Sequence, residues 1–264
     1  VIAAGSLLDF ALAELEHSMP VGRIEYLYMG PMTYQEFLIA NNEIELVEYL
    51  EQHALETSLP SIIHDKCSKY LRHFVFTGGM PGAVNAYIAG DFNDVLFEHK
   101  LILQTFTDDF SKYKKRVNSN RIKAVFRKIP HLVGQRIKYV NISPYEKAKA
   151  IHEALSLLSM AQVIHFVYHT SGNGVPLEAE LNEKHFKIIF LDVGLLLSSL
   201  NLSILDIETA VDTLLINNGA VAEQFIGQHL AFQRHLFDPP AVYFWTRLKA
   251  GTTSELDYLI SHNN

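Results

Sequence analysis

The sequence predicts a mixed α and β protein built from several modules. Three observations carry that reading. The chain has 264 residues, too long for one small domain and suited to two or three modules. Apolar residues recur at helical spacing in some segments and alternate at strand spacing in others. Glycine and proline clusters separate those segments, at Pro20 and Gly22, Gly30-Pro31, Thr77 to Gly82, Ser171 to Gly174 and Pro239-Pro240.

Taken in order, Val1 to Ala4 reads as a strand ending at Gly5 and Ser6. Leu7, Leu8, Ala11, Leu12 and Leu15 then fall at helical spacing. Arg23 to Tyr28 alternates polar and apolar, which predicts a strand. Thr33 is placed to cap a helix, with Glu36 completing a capping box. Glu43, Glu45, Glu48, Glu51 and Glu56 follow with no basic residue among them, and read as a solvated helix face. Thr77-Gly78-Gly79-Met80-Pro81-Gly82 has the glycines of a phosphate cradle, but no Gly-Lys-Ser/Thr follows. It reads instead as a tight turn into a helix that starts near Pro81.

Ser143-Pro144-Tyr145-Glu146 has the pattern of a second capping box. It precedes Ala148, Ile151, Leu155 and Leu158, the apolar stripe of a helix. Strands are predicted at Val163 to His169 and Lys187 to Leu191, around the loop Ser171 to Gly174. Helix, helix, strand, glycine-rich loop, strand is the order of a winged helix. Glu208 to His235 is helical in pattern, with a break at Asn217-Asn218-Gly219. Val242 to Trp245 and Glu255 to Ile260 read as a hairpin.

Charge and composition narrow the function. There are 22 basic and 29 acidic side chains, a net charge of −7, which argues against a wholly basic nucleic-acid binder. The single cysteine, Cys67, cannot form an internal disulfide or a multi-cysteine zinc site, so a reducing, cytoplasmic setting is expected. No apolar run approaches the ~18 residues of a membrane span. The opening Val-Ile-Ala-Ala-Gly-Ser has no basic leader and reads as the start of a piece of a longer chain. Against the overall negative charge, Phe110 to Lys138 holds ten basic residues and no acid. This stretch is either a solvated face, a partner for the acidic stretch or another subunit, or a contact for a polyanion. Lys114, Lys115, Arg127 and Lys128 are its candidate nucleic-acid contacts. The 13 histidines show no metal-ligand spacing; His165 and His169 are four apart, but within a predicted strand. Trp245 reads as a core residue.

Several segments together resemble one prokaryotic family, the AAA-superfamily ATPases with a C-terminal domain similar to restriction endonucleases. Gly5-Ser6-Leu7-Leu8 and Pro20-Val21-Gly22-Arg23 look like the end of the ATPase core, and Pro31 to Leu38 like its sequel. Gly78-Gly79-Met80-Pro81 and Asp108 to Tyr113 resemble the helical lid. Phe186-Lys187 and Leu191-Asp192-Val193-Gly194-Leu195-Leu196 are similar to the end of the winged helix. Glu223, Phe225, Phe244-Trp245 and Glu255-Leu256-Asp257-Tyr258 match the nuclease-like end. The resemblance implies four modules: 1–50, the remnant of an α/β P-loop ATPase core; 51–115, a helical lid; 116–198, a winged helix; and 199–264, a truncated nuclease-like α/β domain.

The resemblance also implies chemistry. Ser6 occupies the sensor position of the ATPase core, where a hydroxyl positions the γ-phosphate or water; it is equally placed to cap the helix at Leu7. Arg23 either contacts phosphate through its guanidinium or forms a surface salt bridge. Glu255 and Asp257, two apart and about 7 Å along a strand, share a face. With Glu223 they would make half of a Mg²⁺ site, unless they are structural or solvent-facing acids. ATP and Mg²⁺ are implied for the parent protein; no cofactor is expected for this chain, which has no Gly-x-x-x-x-Gly-Lys-Ser/Thr and is expected not to hydrolyse ATP alone. The implied function is that of an ATP-driven or ATP-switched protein acting on a nucleic acid or a protein. A winged-helix binding module and a Mg²⁺-dependent nuclease are the alternatives. No membrane is implied, and assembly into an oligomer is left open.

Overall fold

A computed structural model describes residues 25–54, 56–110, 117–209, 219–232, 241–247 and 254–261. Among them the chain is mixed α and β, with eleven α-helices and four strands. The helices are α1 Tyr34–Ala40, α2 Ile44–Gln52, α3 Ser61–Thr77, α4 Pro81–Ile88, α5 Phe92–Asp109, α6 Ser119–Lys128, α7 Tyr139–Ile142 and α8 Ala148–Met160. Strands β1 Ile164–Thr170 and β2 Leu181–Phe190 follow. Then come α9 Val193–Ser199, α10 Ile204–Glu208, α11 Ala220–Phe232, β3 Tyr243–Thr246 and β4 Glu255–Leu259. No helix among the described residues is long and apolar enough to cross a membrane.

The chain divides into two compact units. A helical unit comprises Gly30–Asp108 and Asp192–Phe225; a sheet unit comprises Val1–Met29, Asp109–Leu191 and Ile226–Asn264. In the helical unit, Thr33 caps α1 as expected: its hydroxyl accepts from the Glu36 N–H, and the Glu36 carboxylate accepts from the Thr33 N–H. Pro81 stands in the first turn of α4, where a missing N–H costs nothing. The core gathers Phe37, Phe74, Phe76, Val84, Val193 and Leu197 from helices far apart in sequence. Phe37 and Phe74 meet edge to face at 5.3 Å, the geometry that ring quadrupoles favour.

The sheet unit holds the strands in the order β2-β1-β3-β4. β1 pairs antiparallel with β2 and parallel with β3, and β3 pairs antiparallel with β4. One face carries Phe166 and Phe186, whose rings meet at 5.3 Å; Tyr139 of α7 packs on Phe186 and Phe126 of α6 on Phe190. The other face carries Val167, Ile189 and Phe244, packed with Ala231 of α11. Covering both faces explains why β1 is buried at nearly every position rather than at every second one.

Several expectations are corrected here. Residues 25–28 form no strand, because alternation supplies a face but not the neighbouring strand that backbone groups require. β2 starts six residues before the predicted Lys187: Leu181 to His185 are polar or partly exposed on an edge strand, so the apolar run marks its buried end alone. Ser143 caps no following helix. It is extended and closes α7 by donating its N–H to the Tyr139 carbonyl; α8 begins at Ala148 behind Lys147. Glu146, which would complete the box, instead pairs with Arg121 of α6 at 3.0 Å. Of the late helix expected over Glu208 to His235, α11 Ala220–Phe232 is present, after the expected break at Asn217-Asn218-Gly219; residues 210–218 and 233–235 lie outside the described residues. The hairpin strands fall where expected, but through β1 they join the strands expected of a winged helix in one sheet.

Candidate functional site

Ser6, Arg23, Lys114 and Lys115 lie outside the described residues. Of the acidic candidates, Glu223 is on α11 within the helical unit, and Glu255 and Asp257 are on β4 of the sheet unit. Among the described residues, no group of three or more His, Cys, Asp or Glu side chains is arranged to hold a metal ion.

What the structure brings to Glu255 and Asp257 is Lys187. Its Nζ donates to Glu255 Oε1 at 2.8 Å and to Asp257 Oδ1 at 2.9 Å. Lys187 sits opposite Val167 on β2, three strands from β4. Strands are spaced about 4.8 Å apart, so the lysine and the two carboxylates must reach towards each other over the intervening strands. Phe244 lies beside them, its ring centroid 5.6 Å from Nζ. The lysine is 3% exposed, while the two carboxylates keep contact with water. A buried ammonium is tolerated because two anions and an aromatic face replace its hydration. Beside it, His169 Nε2 donates to the Thr246 carbonyl at 3.1 Å, and its Nδ1 is buried with no partner among the described residues.

This arrangement ties the β3–β4 hairpin to β2. It also pairs both carboxylates with one buried cation. Supercoiled plasmid incubated with this chain and Mg²⁺ or Mn²⁺ is therefore expected to stay intact. Nicking that Asp257→Ala abolishes would overturn that expectation. Sequence reasoning missed Lys187 as a site residue; the available signal was a lone lysine heading the apolar run Ile188-Ile189-Phe190.

The basic stretch forms a second feature of the sheet unit. α6 is amphipathic: Ile122, Val125 and Phe126 are buried, and Arg127 and Lys128 are exposed in its last turn. That is where the helix dipole favours cations. Arg136 and Lys138 are exposed further on. None of these four makes an ion pair among the described residues, whereas Arg121 is engaged by Glu146. Nor does the acidic stretch wait for them with all its members: Glu43 bonds Lys66 and Tyr70 within the helical unit, and those bonds hold its carboxyl below the usual range.

In the helical unit, the two glycine-containing motifs prove to be one structural device. Asp192 is completely buried and caps α9 by accepting from the Leu195 N–H at 3.0 Å. Its second oxygen accepts from the Gly79 N–H at 2.7 Å. A Cβ on Gly78, whose φ is +71°, would lie 2.0 Å from the Asp192 carboxylate. One on Gly194 would lie 2.6 Å from the Thr77 carbonyl carbon. Bare backbone is therefore needed for the two turns to touch. His99 donates from Nε2 to the Thr77 carbonyl at 2.8 Å on the same side. Burial pushes the Asp192 carboxyl up and the His99 imidazole down. Fully enclosed, the pair is a buried support rather than a reactive site.

The family described as Domain of unknown function (DUF8612) matches residues 68–206, which include both of these turns, the basic helix α6 and the strands β1 and β2. The match covers more than half of the chain, and the chain belongs to that family. No curated protein and no solved structure matches it.

Proposed function

We propose that this chain is the macromolecule-binding portion of an ATP-dependent protein of the AAA superfamily, and that it holds nucleic acid by the phosphate backbone. The observation that carries the reading is the set of exposed cations without ion pairs among the described residues: Arg127, Lys128, Arg136 and Lys138, in a chain of net charge −7. The attraction is therefore local to this stretch. The order α6, α7, α8, β1, β2 suits a winged helix, in which α8 would lie in a groove. The exposed side chains of α8 include Lys149, His152 and Glu153, a poor set for reading bases. Phosphate contacts position a protein and carry no sequence information. ATP and Mg²⁺ would act in the parent protein, where the resemblance places a Walker lysine and acid; binding and hydrolysis would switch this portion between two positions.

Fluorescence anisotropy with a labelled duplex tests the reading. Neutralising about four phosphates gives a log–log salt slope of roughly −3.6, and unrelated sequences should bind alike. Charge reversal at Arg127, Lys128, Arg136 and Lys138 should abolish binding. No binding at low salt, or binding that survives the reversal, would overturn the proposal.

A further inference from the structure

A groove in the helical unit points to a protein partner, independently of the nucleic-acid reading. Tyr34, Gln35 and Leu38 of α1 face Val47, Leu50 and Glu51 of α2 across a cleft of about 210 Å³. That is smaller than the roughly 300–1,000 Å³ of small-molecule sites, and its floor is apolar, so it suits inserted side chains better than a metabolite. The apolar surface continues outwards. Ile44, Val47, Glu48 and Glu51 follow each other at i, i+3, i+4 and i+7, which places them on one face of α2. Ile44 at the near end is 51% exposed, and Ile39, one residue beyond Leu38 on α1, is 45% exposed.

The charge around the groove has one sign. From Gly30 to Asp65 the sequence holds six glutamates, one aspartate and no lysine or arginine. Of these, Glu43 is taken by Lys66 and Glu36 by the cap of α1; Glu51 lines the groove and accepts from the Gln35 side-chain amide across it at 2.5 Å, and Glu48 shares its helix face. An apolar floor with an acidic rim selects its complement: apolar anchors at helical spacing with lysine or arginine on the flanks. We infer that the α1–α2 groove docks a basic, amphipathic helix from a partner protein.

The probe is a fluorescein-labelled helical peptide of leucine and lysine, with its leucine–glutamate counterpart as control. The leucine–lysine peptide should bind saturably at low salt and the acidic peptide should not bind. Glu48→Lys/Glu51→Lys should weaken binding at least about tenfold, and so should Ile44→Asp, which tests the apolar part. Glu153→Lys/Glu183→Lys changes the net charge equally in the sheet unit and should leave affinity unchanged. Circular dichroism confirms that each variant is folded, and the exposed positions chosen make that the expected result. Equal weakening by the two charge-reversed pairs would reduce the effect to net charge and overturn the inference. Absence of saturable binding to the folded wild-type chain would overturn it too.

Discussion

Asp192→Ala is expected to destabilise the helical unit by about 3 kcal/mol. The carboxylate is wholly buried and satisfies the Gly79 and Leu195 N–H groups at 2.7 and 3.0 Å. Alanine removes both acceptors and leaves two donors without water, each costing roughly 1–3 kcal/mol. The space vacated adds a cavity in front of Gly78, which approaches the carboxylate too closely for any side chain. Asp192→Asn keeps one acceptor oxygen and should fall between alanine and wild type. A chain of two units need not unfold in one step, so the local readout is the stronger one. Hydrogen exchange at the Gly79 and Leu195 amides should accelerate in the alanine variant, and the urea midpoint of the helical unit should fall. Unchanged exchange at both amides would show that the carboxylate does not hold the turns together.

The same residue shows where the sequence was legible. Features whose partners lie within a turn of each other could be read directly. The Thr33–Glu36 capping box spans three residues, and Pro81 needs only its own ring to start α4. β1 and β3 were legible because apolar and aromatic residues cluster where the sheet is covered. Ser143 to Glu146 carried an equally good local pattern and failed, since Arg121, 25 residues earlier, captures Glu146. The site residues lie further beyond local reading. Asp192 meets Gly79 across 113 positions, and Lys187 meets Asp257 across 70. In sequence each is a single charge beside an apolar run, and only the tertiary fold shows which group neutralises it. The basic stretch was legible as composition. That four of its members are exposed, and that Glu43 is already engaged elsewhere, are facts of packing.

Lowering the pH from 7 to about 4 should cost the sheet unit about 3 kcal/mol through His165 alone. His165 is on β1, on the face covered by α11, with its ring edge-on to Phe232 at 5.1 Å. Its Nε2 is buried with no hydrogen-bond partner among the described residues. Burial pushes the imidazole down to about 4 from its ordinary 6.5, because an imidazolium there would lack both water and a counter-charge. The unfolded chain takes up a proton near pH 6.5 and the folded chain does not until about 4. Stability is therefore complete above pH 6.5 and falls steadily as the pH drops towards 4, below which this contribution levels off. His73 and His99 are also held low by burial, so the pH profile of the wild type alone mixes several groups. Comparison with His165→Gln isolates one of them: the difference between the two proteins should shrink or reverse between pH 6.5 and 4, as glutamine has no proton to gain. Nuclear magnetic resonance gives a direct check, since the His165 ring signals should titrate with a midpoint near 4. A midpoint near 6.5, or parallel stability profiles for the two proteins across that range, would mean that the β1 face admits water or a partner for the imidazolium, and that the α11 cover over the sheet is looser than its packing implies.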